Sequence, residues 1–238
     1  MNEGLLLRRP DWPMPAALMV LGIVPALAGI ARLNTLAAGV PVTPANARFL
    51  AAPTPVVLHL LAVIPYAFLG ALQFAPALRR RRPLWHRASG RLLVVLGMVA
   101  ATTGLWMTLF YEWPAGDGEA LYVLRLVFGS AMAIAIVLAV NALQRRNFVA
   151  HGAWMTRAYA IAMGAGTQVL THIPYELLVG KPGMQARAFL MGAGWVINLL
   201  LAEWIIRRAS PGGLPNSGAA LEPTSGKYEQ YRCPTVFR

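Results

Sequence analysis

The sequence predicts an all-α integral membrane protein with about six transmembrane helices, and three observations carry that prediction. Of the 238 residues, 57% are hydrophobic and only 13% are charged, whereas charged residues make up about a quarter of a soluble domain. The apolar residues are gathered into six runs, each close to the ~20 residues that cross a bilayer. The basic excess, 21 Lys and Arg against 9 Asp and Glu, falls mostly in short gaps between those runs. A nucleic-acid binder would carry such an excess on polar segments. The partner this charge meets first is a lipid surface, and no nucleic-acid partner is expected.

The first run, Trp12 to Ala31, follows Arg8 and Arg9 as a signal peptide would. Its apolar length exceeds the roughly 7 to 15 residues of a signal-peptide core, so it reads as a helix. The second runs from about Pro53 to Leu78 and contains Pro55, Pro65 and Pro76, which kink a membrane helix without forbidding it. The third is Ala88 to Tyr111, the fourth about Ala120 to Leu143, the fifth about Gly152 to Tyr175, and the sixth Ala188 to Ile206. The fourth and fifth each carry one internal arginine, and Glu203 is the only acid of the sixth. Residues 1–11 thus form a short N-terminus, 12–208 the transmembrane domain with helices two to five as its core, and 209–238 a polar tail rich in Gly, Pro and Ser. The single cysteine, Cys233, lies in that tail, which leaves no cysteine-based metal site in the helices.

Orientation follows from the basic residues near helix ends. Thirteen gather at one level: Arg8, Arg9, Arg79 to Arg82, Arg87, Arg91, Arg145, Arg146, Arg157, Arg207 and Arg208. Five (Arg32, Arg48, Arg125, Lys181 and Arg187) lie at the other. The expected location is a bacterial inner membrane, with both termini and the two arginine loops cytoplasmic. Glu112, Asp117, Glu119 and Glu176 are near enough in sequence to partner three of the five outer cations. Small residues mark packing faces between membrane helices: Gly90, Gly97 and Gly104 at seven-residue intervals, and the pairs Ala160/Gly164 and Ala188/Gly192.

The cytoplasmic loops RRRRPLWHRASGR and QRRNFVAHGAWMTR share an order of features. In each, an arginine pair precedes a histidine at the mouth of the next helix (His86, His151), and an arginine follows five or six residues later (Arg91, Arg157). A parallel repeat of two hairpins would account for this. On three features the chain resembles a family of bacterial polytopic membrane proteins catalogued as a domain of unknown function. They are His59 near the start of helix two, HR-x-x-GR as His86, Arg87, Gly90 and Arg91, and H-x-x-WM-x-R as His151, Trp154, Met155 and Arg157. The resemblance covers roughly Pro55 to Arg208 and implies a helical bundle without naming an activity. That family is in turn distantly similar to cytochrome b561-type electron carriers, an analogy of helix count and histidines.

All four histidines fall in or at the ends of the runs, and ionisable groups at membrane depth mark functional sites. At about 1.5 Å per residue, His59 lies roughly 27 Å from the cytoplasmic end of helix two and His172 roughly 30 Å from that of helix five. Both are therefore near the outer face, while His86 and His151 are level at the cytoplasmic rim. Paired histidines at one depth suit haem iron, whose two axial ligands approach from opposite porphyrin faces. The expected cofactor-binding residues are His59, His172, His86 and His151, with His59 and His172 as ligands of a b-type haem iron or contacts for a quinone. Against this, helix four supplies no histidine, and the two levels are about 30 Å apart. A membrane histidine can equally be an interhelical strut, worth about 0.6 to 2 kcal/mol.

Two other readings stay open. Arg87, Arg91 and Arg157 form a basic cytoplasmic mouth that suits lipid headgroups or an anionic ligand. Alternatively, the chain is an accessory subunit that packs on a larger membrane complex through its small-residue seams and tail, with no cofactor of its own. Enzymatic activity stays undecided, because no P-loop, dinucleotide fingerprint, H-E-x-x-H or G-x-S-x-G occurs.

Overall fold

A computed structural model describes residues 12–209, which form nine helices and, among those described residues, no strand. The N-terminus and the polar tail with Cys233 lie outside the described residues. Five helices are long and apolar enough to cross a membrane: α1 (Pro13–Ala37), α3 (Pro53–Gln73), α5 (Pro83–Phe110), α6 (Glu119–Gln144) and α9 (Met184–Ala209). The chain is an all-α integral membrane protein, and the apolar side chains on its outer surface meet lipid. Two short helices, α2 (Ala47–Ala51) and α4 (Pro76–Arg81), flank α3. Proline sets several starts. Pro53, Pro76 and Pro83 each open a helix, where the missing N–H would have had no intrahelical partner. The second apolar run therefore ends as a membrane helix at Gln73, and Pro76 begins a separate turn; Pro65 is accommodated inside α3.

The fifth apolar run departs from the expectation of one helix. It forms α7 (Phe148–Ala162) and α8 (Gly164–Leu178), 15 residues each, which meet at Met163. Two features of this region explain the break. Gly166 packs so tightly on α1 that a Cβ there would overlap the Leu21 carbonyl, and a Cβ on Gly164 would overlap the Trp195 ring. The Ala160 carbonyl, next to the break, accepts a hydrogen bond from Asn198 Nδ2 of α9 at 3.1 Å. Asn198 Oδ1 in turn accepts from Thr167 Oγ1 at 2.7 Å. Side chains from a neighbouring helix meet the polar groups of the broken backbone, the condition on which lipid tolerates a discontinuous helix.

The buried core comes from α3, α5, α6 and α7 together with Met163, and Tyr66, Ile136, Ala158 and Tyr159 are among its members. These are helices two to five of the sequence reading. α3 and α5 are antiparallel and meet along two ladders that share a seven-residue spacing. A Cβ on Gly90 would face Gln73, one on Gly97 would stand 2.8 Å from Tyr66, and one on Gly104 would stand 3.4 Å from His59. Each glycine lets the larger group opposite approach the α5 backbone. The second hairpin, α6 with α7, turns through Arg146 at φ 57°, and Asn147 caps α7 by accepting from the Ala150 amide at 3.0 Å. α1 packs on α3 and α8, while α9 packs on α6, α7 and α8.

Candidate functional site

A cavity of about 380 Å³ opens in the half of the bundle opposite the arginine loops. Its walls come from α3, α5, α6, the end of α7, the start of α8 and Trp195 of α9. Met132, Ile161 and Ala162 lie at its deep end, next to the Met163 break, while Arg48, Phe49, Glu112 and Asp117 lie toward the loops. Between Arg125 and Met132, both lining residues on α6, the cavity descends about 10 Å at 1.5 Å per residue.

His59 lines this cavity. Its Nδ1 is 2.9 Å from the Ala100 carbonyl and 3.2 Å from Thr103 Oγ1. A carbonyl only accepts, so Nδ1 carries the proton and Nε2 holds the ring's lone pair. Among the described residues Nε2 has no hydrogen-bond partner. His172 is also half-buried, and its Nδ1 donates to the Gln168 carbonyl one turn earlier in its own helix, at 2.7 Å. It lines an adjoining groove between α8 and α9, and Ala165 and Gln168 belong to both cavities. His59 and His172 are thus distributed over two neighbouring cavities that share one wall.

At the arginine-rich end, His86 and His151 each occupy the fourth residue of their helices, α5 and α7, and are close enough to interact electrostatically. His151 Nδ1 donates to the Ala139 carbonyl at 3.0 Å. Arg157 is engaged by Glu203, through Nε at 2.5 Å and Nη2 at 3.0 Å. Arg87 and Arg91 are exposed and form no ion pair among the described residues. Of the three arginines expected at this end, Arg157 thus has a carboxylate partner, and Arg87 and Arg91 have none among the described residues.

Residues 56–206 match the family described as a predicted membrane protein, DUF2306. The chain belongs to that family. No curated protein and no solved structure matches it. The DUF2306 match begins at Val56 in the first turn of α3 and ends at Ile206 in α9. It takes in His59, the cavity walls and the Met163 break, and leaves out α1 together with Arg48 and Phe49.

Several polar residues that shape the cavity were read from the sequence only as helix-end charges, or not at all, and not as site residues. Asp117 is 8% exposed and holds two arginines: Arg125 Nη1 at 2.5 Å from Oδ2, and Arg187 Nε at 2.8 Å from Oδ1, an ion-pair separation without hydrogen-bond alignment. One acid thus serves two of the five cations, and it was one of four candidates by sequence. Arg48 donates to the Glu112 backbone carbonyl at 3.5 Å. Burial lowers the pKa of its guanidinium below the usual value, with Asp117 pulling the other way. Tyr111, at the end of α5, donates from its hydroxyl to the Ala52 carbonyl at 2.6 Å and so ties the mouth of the cavity to the start of α3. The lone amide Asn198 inside the last apolar run was the signal that could have marked the break, since polar side chains there usually bond across helices.

Proposed function

We propose that the protein is an electron carrier of the bacterial inner membrane that holds a redox-active ring, a b-type haem or a quinone, in this cavity against His59. In this reading both termini and the arginine loops are cytoplasmic and the cavity opens outward. One observation carries it. The Nδ1–H of His59 is committed to a backbone carbonyl, which fixes the tautomer and orientation of the ring and leaves Nε2 as a base on the wall of a cavity. The cavity volume, about 380 Å³, lies within the range of small-molecule and cofactor sites, roughly 300–1,000 Å³.

The fit differs between the two ligands. Haem iron takes axial ligands from both porphyrin faces; His59 fits as one, while His172 lies across the wall formed by Ala165 and Gln168. A quinone's carbonyl oxygen needs a donor, which Nε2 becomes only on protonation, whereas the hydroxyl of the reduced quinol can donate to Nε2 as it stands. Either group, when bound, would take up and release electrons. This chain's part is to orient it through His59 and to shield it from water behind Met132, Ile161 and Trp195.

The test is a reduced-minus-oxidised visible spectrum of the purified protein beside His59→Ala and His172→Ala. A haem spectrum lost in both variants establishes a bis-histidine carrier. A colourless protein that retains a co-purifying quinone, released by His59→Ala alone, selects the quinone. A folded protein with neither ligand sinks the electron-transfer reading.

A further inference from the structure

We infer that the cavity takes an amphiphile with an anionic head, a carboxylate or phosphate held by Arg48 and Arg32 at the mouth, and an apolar body that reaches down toward Trp195. The inference rests on the reading of the cavity as a ligand site, and it names the chemical class of the ligand.

The argument begins with Phe49. The guanidinium carbons of Arg32 and Arg48 each lie 4.6 Å from the centre of its ring. Two like charges are thereby held against a single side chain, and among the described residues neither forms an ion pair with a carboxylate. A ring face attracts a cation only weakly, by about 0.5–1 kcal/mol at exposed sites. The pair is electrostatically incomplete, and an anion within reach of both would relieve the repulsion.

The nearby acids do not complete the pair. Arg125 and Arg187 are close enough to Arg48 to act on it electrostatically, as are Arg32 and Asp117. Asp117 is the only buried carboxylate among these groups and is already shared by Arg125 and Arg187. Glu112, the other acid lining the cavity, is exposed and offers Arg48 only its backbone carbonyl. Arg125 and Arg187 are thus served by Asp117, and Arg48 and Arg32 are the two of the four with no carboxylate in ion-pair contact among the described residues.

Below this mouth the cavity changes character. Arg48 and Phe49 line it at one end, Met132, Ile161 and Trp195 at the other. A free inorganic anion would use only the upper part, and an uncharged apolar molecule only the lower. An acid on an apolar body uses both, because guanidinium binds carboxylate and phosphate through paired hydrogen bonds while the body displaces water from apolar walls. Of the two redox ligands considered above, haem carries carboxylates of this kind and a simple quinone does not.

The experiment uses the full chain in nanodiscs of net-neutral lipid and reads quenching of tryptophan fluorescence by 8-bromooctanoate and by 8-bromooctanol. The expected result is saturable quenching by both, with the acid binding about tenfold or more tightly, the scale of a charge-assisted hydrogen bond. Arg48→Gln, or Arg32→Gln if the first variant is poorly folded, brings the acid to the affinity of the alcohol. Trp195→Phe lowers the amplitude of quenching and leaves the acid preference intact. Equal affinity of acid and alcohol in the native chain overturns the anionic head and leaves the cavity as a ligand site. No saturable quenching by either probe overturns the cavity as well. Inorganic phosphate that competes as strongly as octanoate overturns the amphiphile in favour of a simple anion, and a preference that survives both arginine variants overturns the assignment to Arg48 and Arg32.

Discussion

The two central hairpins, α3 with α5 and α6 with α7–α8, begin alike and end differently. Both return through an arginine-rich turn into a helix with histidine at its fourth residue, His86 in α5 and His151 in α7. α5 runs unbroken for 28 residues in all, whereas the second returning helix breaks at Met163 after 15. The difference lies in what each hairpin packs against. α5 meets α3 along glycines that admit side chains one at a time, so its own backbone ladder stays whole. α8 is pressed against the backbone of α1 at Gly166 and the ring of Trp195 at Gly164, and its polar needs are met from α9. The unbroken hairpin holds His59 by a bond between its two helices, and the broken one holds His172 within a single helix. An interhelical bond fixes a ring relative to a cavity; an intrahelical one fixes it only to its own helix.

Paired substitutions probe this contrast. The largest effect is expected at Gly166, where alanine would overlap the Leu21 carbonyl. Backbone has little room to give, so Gly166→Ala should destabilise by about 3 kcal/mol, the upper part of the range for overpacking. Gly152, with nothing within 4 Å of a built Cβ, should accept alanine with a gain of about 0.5–1 kcal/mol. Thermal melts in one detergent compare them, and equal melting points would remove backbone contact as the cause of the break.

A smaller effect is expected from Asn198→Ala, which leaves the Ala160 carbonyl and Thr167 without their interhelical partner, at about 1–3 kcal/mol. Ser89→Ala in the first hairpin removes the bond from Gln73 beside an intact helix and should cost less than about 1 kcal/mol. Hydrogen exchange at the amides around residue 163 reads the local consequence. If both variants exchange alike there, Asn198 does not hold the break together.

The smallest difference concerns Arg157 and Arg91, which follow the mouth histidines of the two hairpins. Glu203→Gln takes the acid from Arg157, a partly exposed pair worth about 0.2–1 kcal/mol, while Arg91→Gln should leave stability unchanged. A double-mutant cycle on Arg157 and Glu203 gives the coupling directly, and zero coupling would make the two arginines energetically alike despite their geometry.

Much of this fold was legible because lipid imposes length and composition on whatever crosses it. Five of the six apolar runs as membrane-length helices, the core drawn from runs two to five, and the seven-residue glycine seam were readable from the chain. What escaped depends on close approach. Nothing in the spacing of Gly164 and Gly166 says that one faces a tryptophan and the other a carbonyl of α1, so the break at Met163 was not foreseen. The histidines were visible as the unusual residues of the bundle, and the cavity beside His59 was not, since an empty volume is a property of several helices at once. The cavity mouth was the least legible part. Arg32 on α1 is remote in sequence from the adjacent Arg48 and Phe49 on α2, and only the fold brings both guanidiniums to one ring.

Arg157 and the carbonyl at the break both find polar partners on α9: Glu203 for Arg157, and Asn198 for the Ala160 carbonyl and Thr167. Synthesis runs from the N-terminus, so α7 and α8 leave the ribosome before either partner exists. Residues 148–178 must then enter the bilayer with an unpaired arginine and an unanswered carbonyl, or wait at its surface until α9 follows. Assembly of this crossing is therefore a two-helix event, and a chain cut before Met184 should fail to retain it in the membrane while keeping α1, α3, α5 and α6.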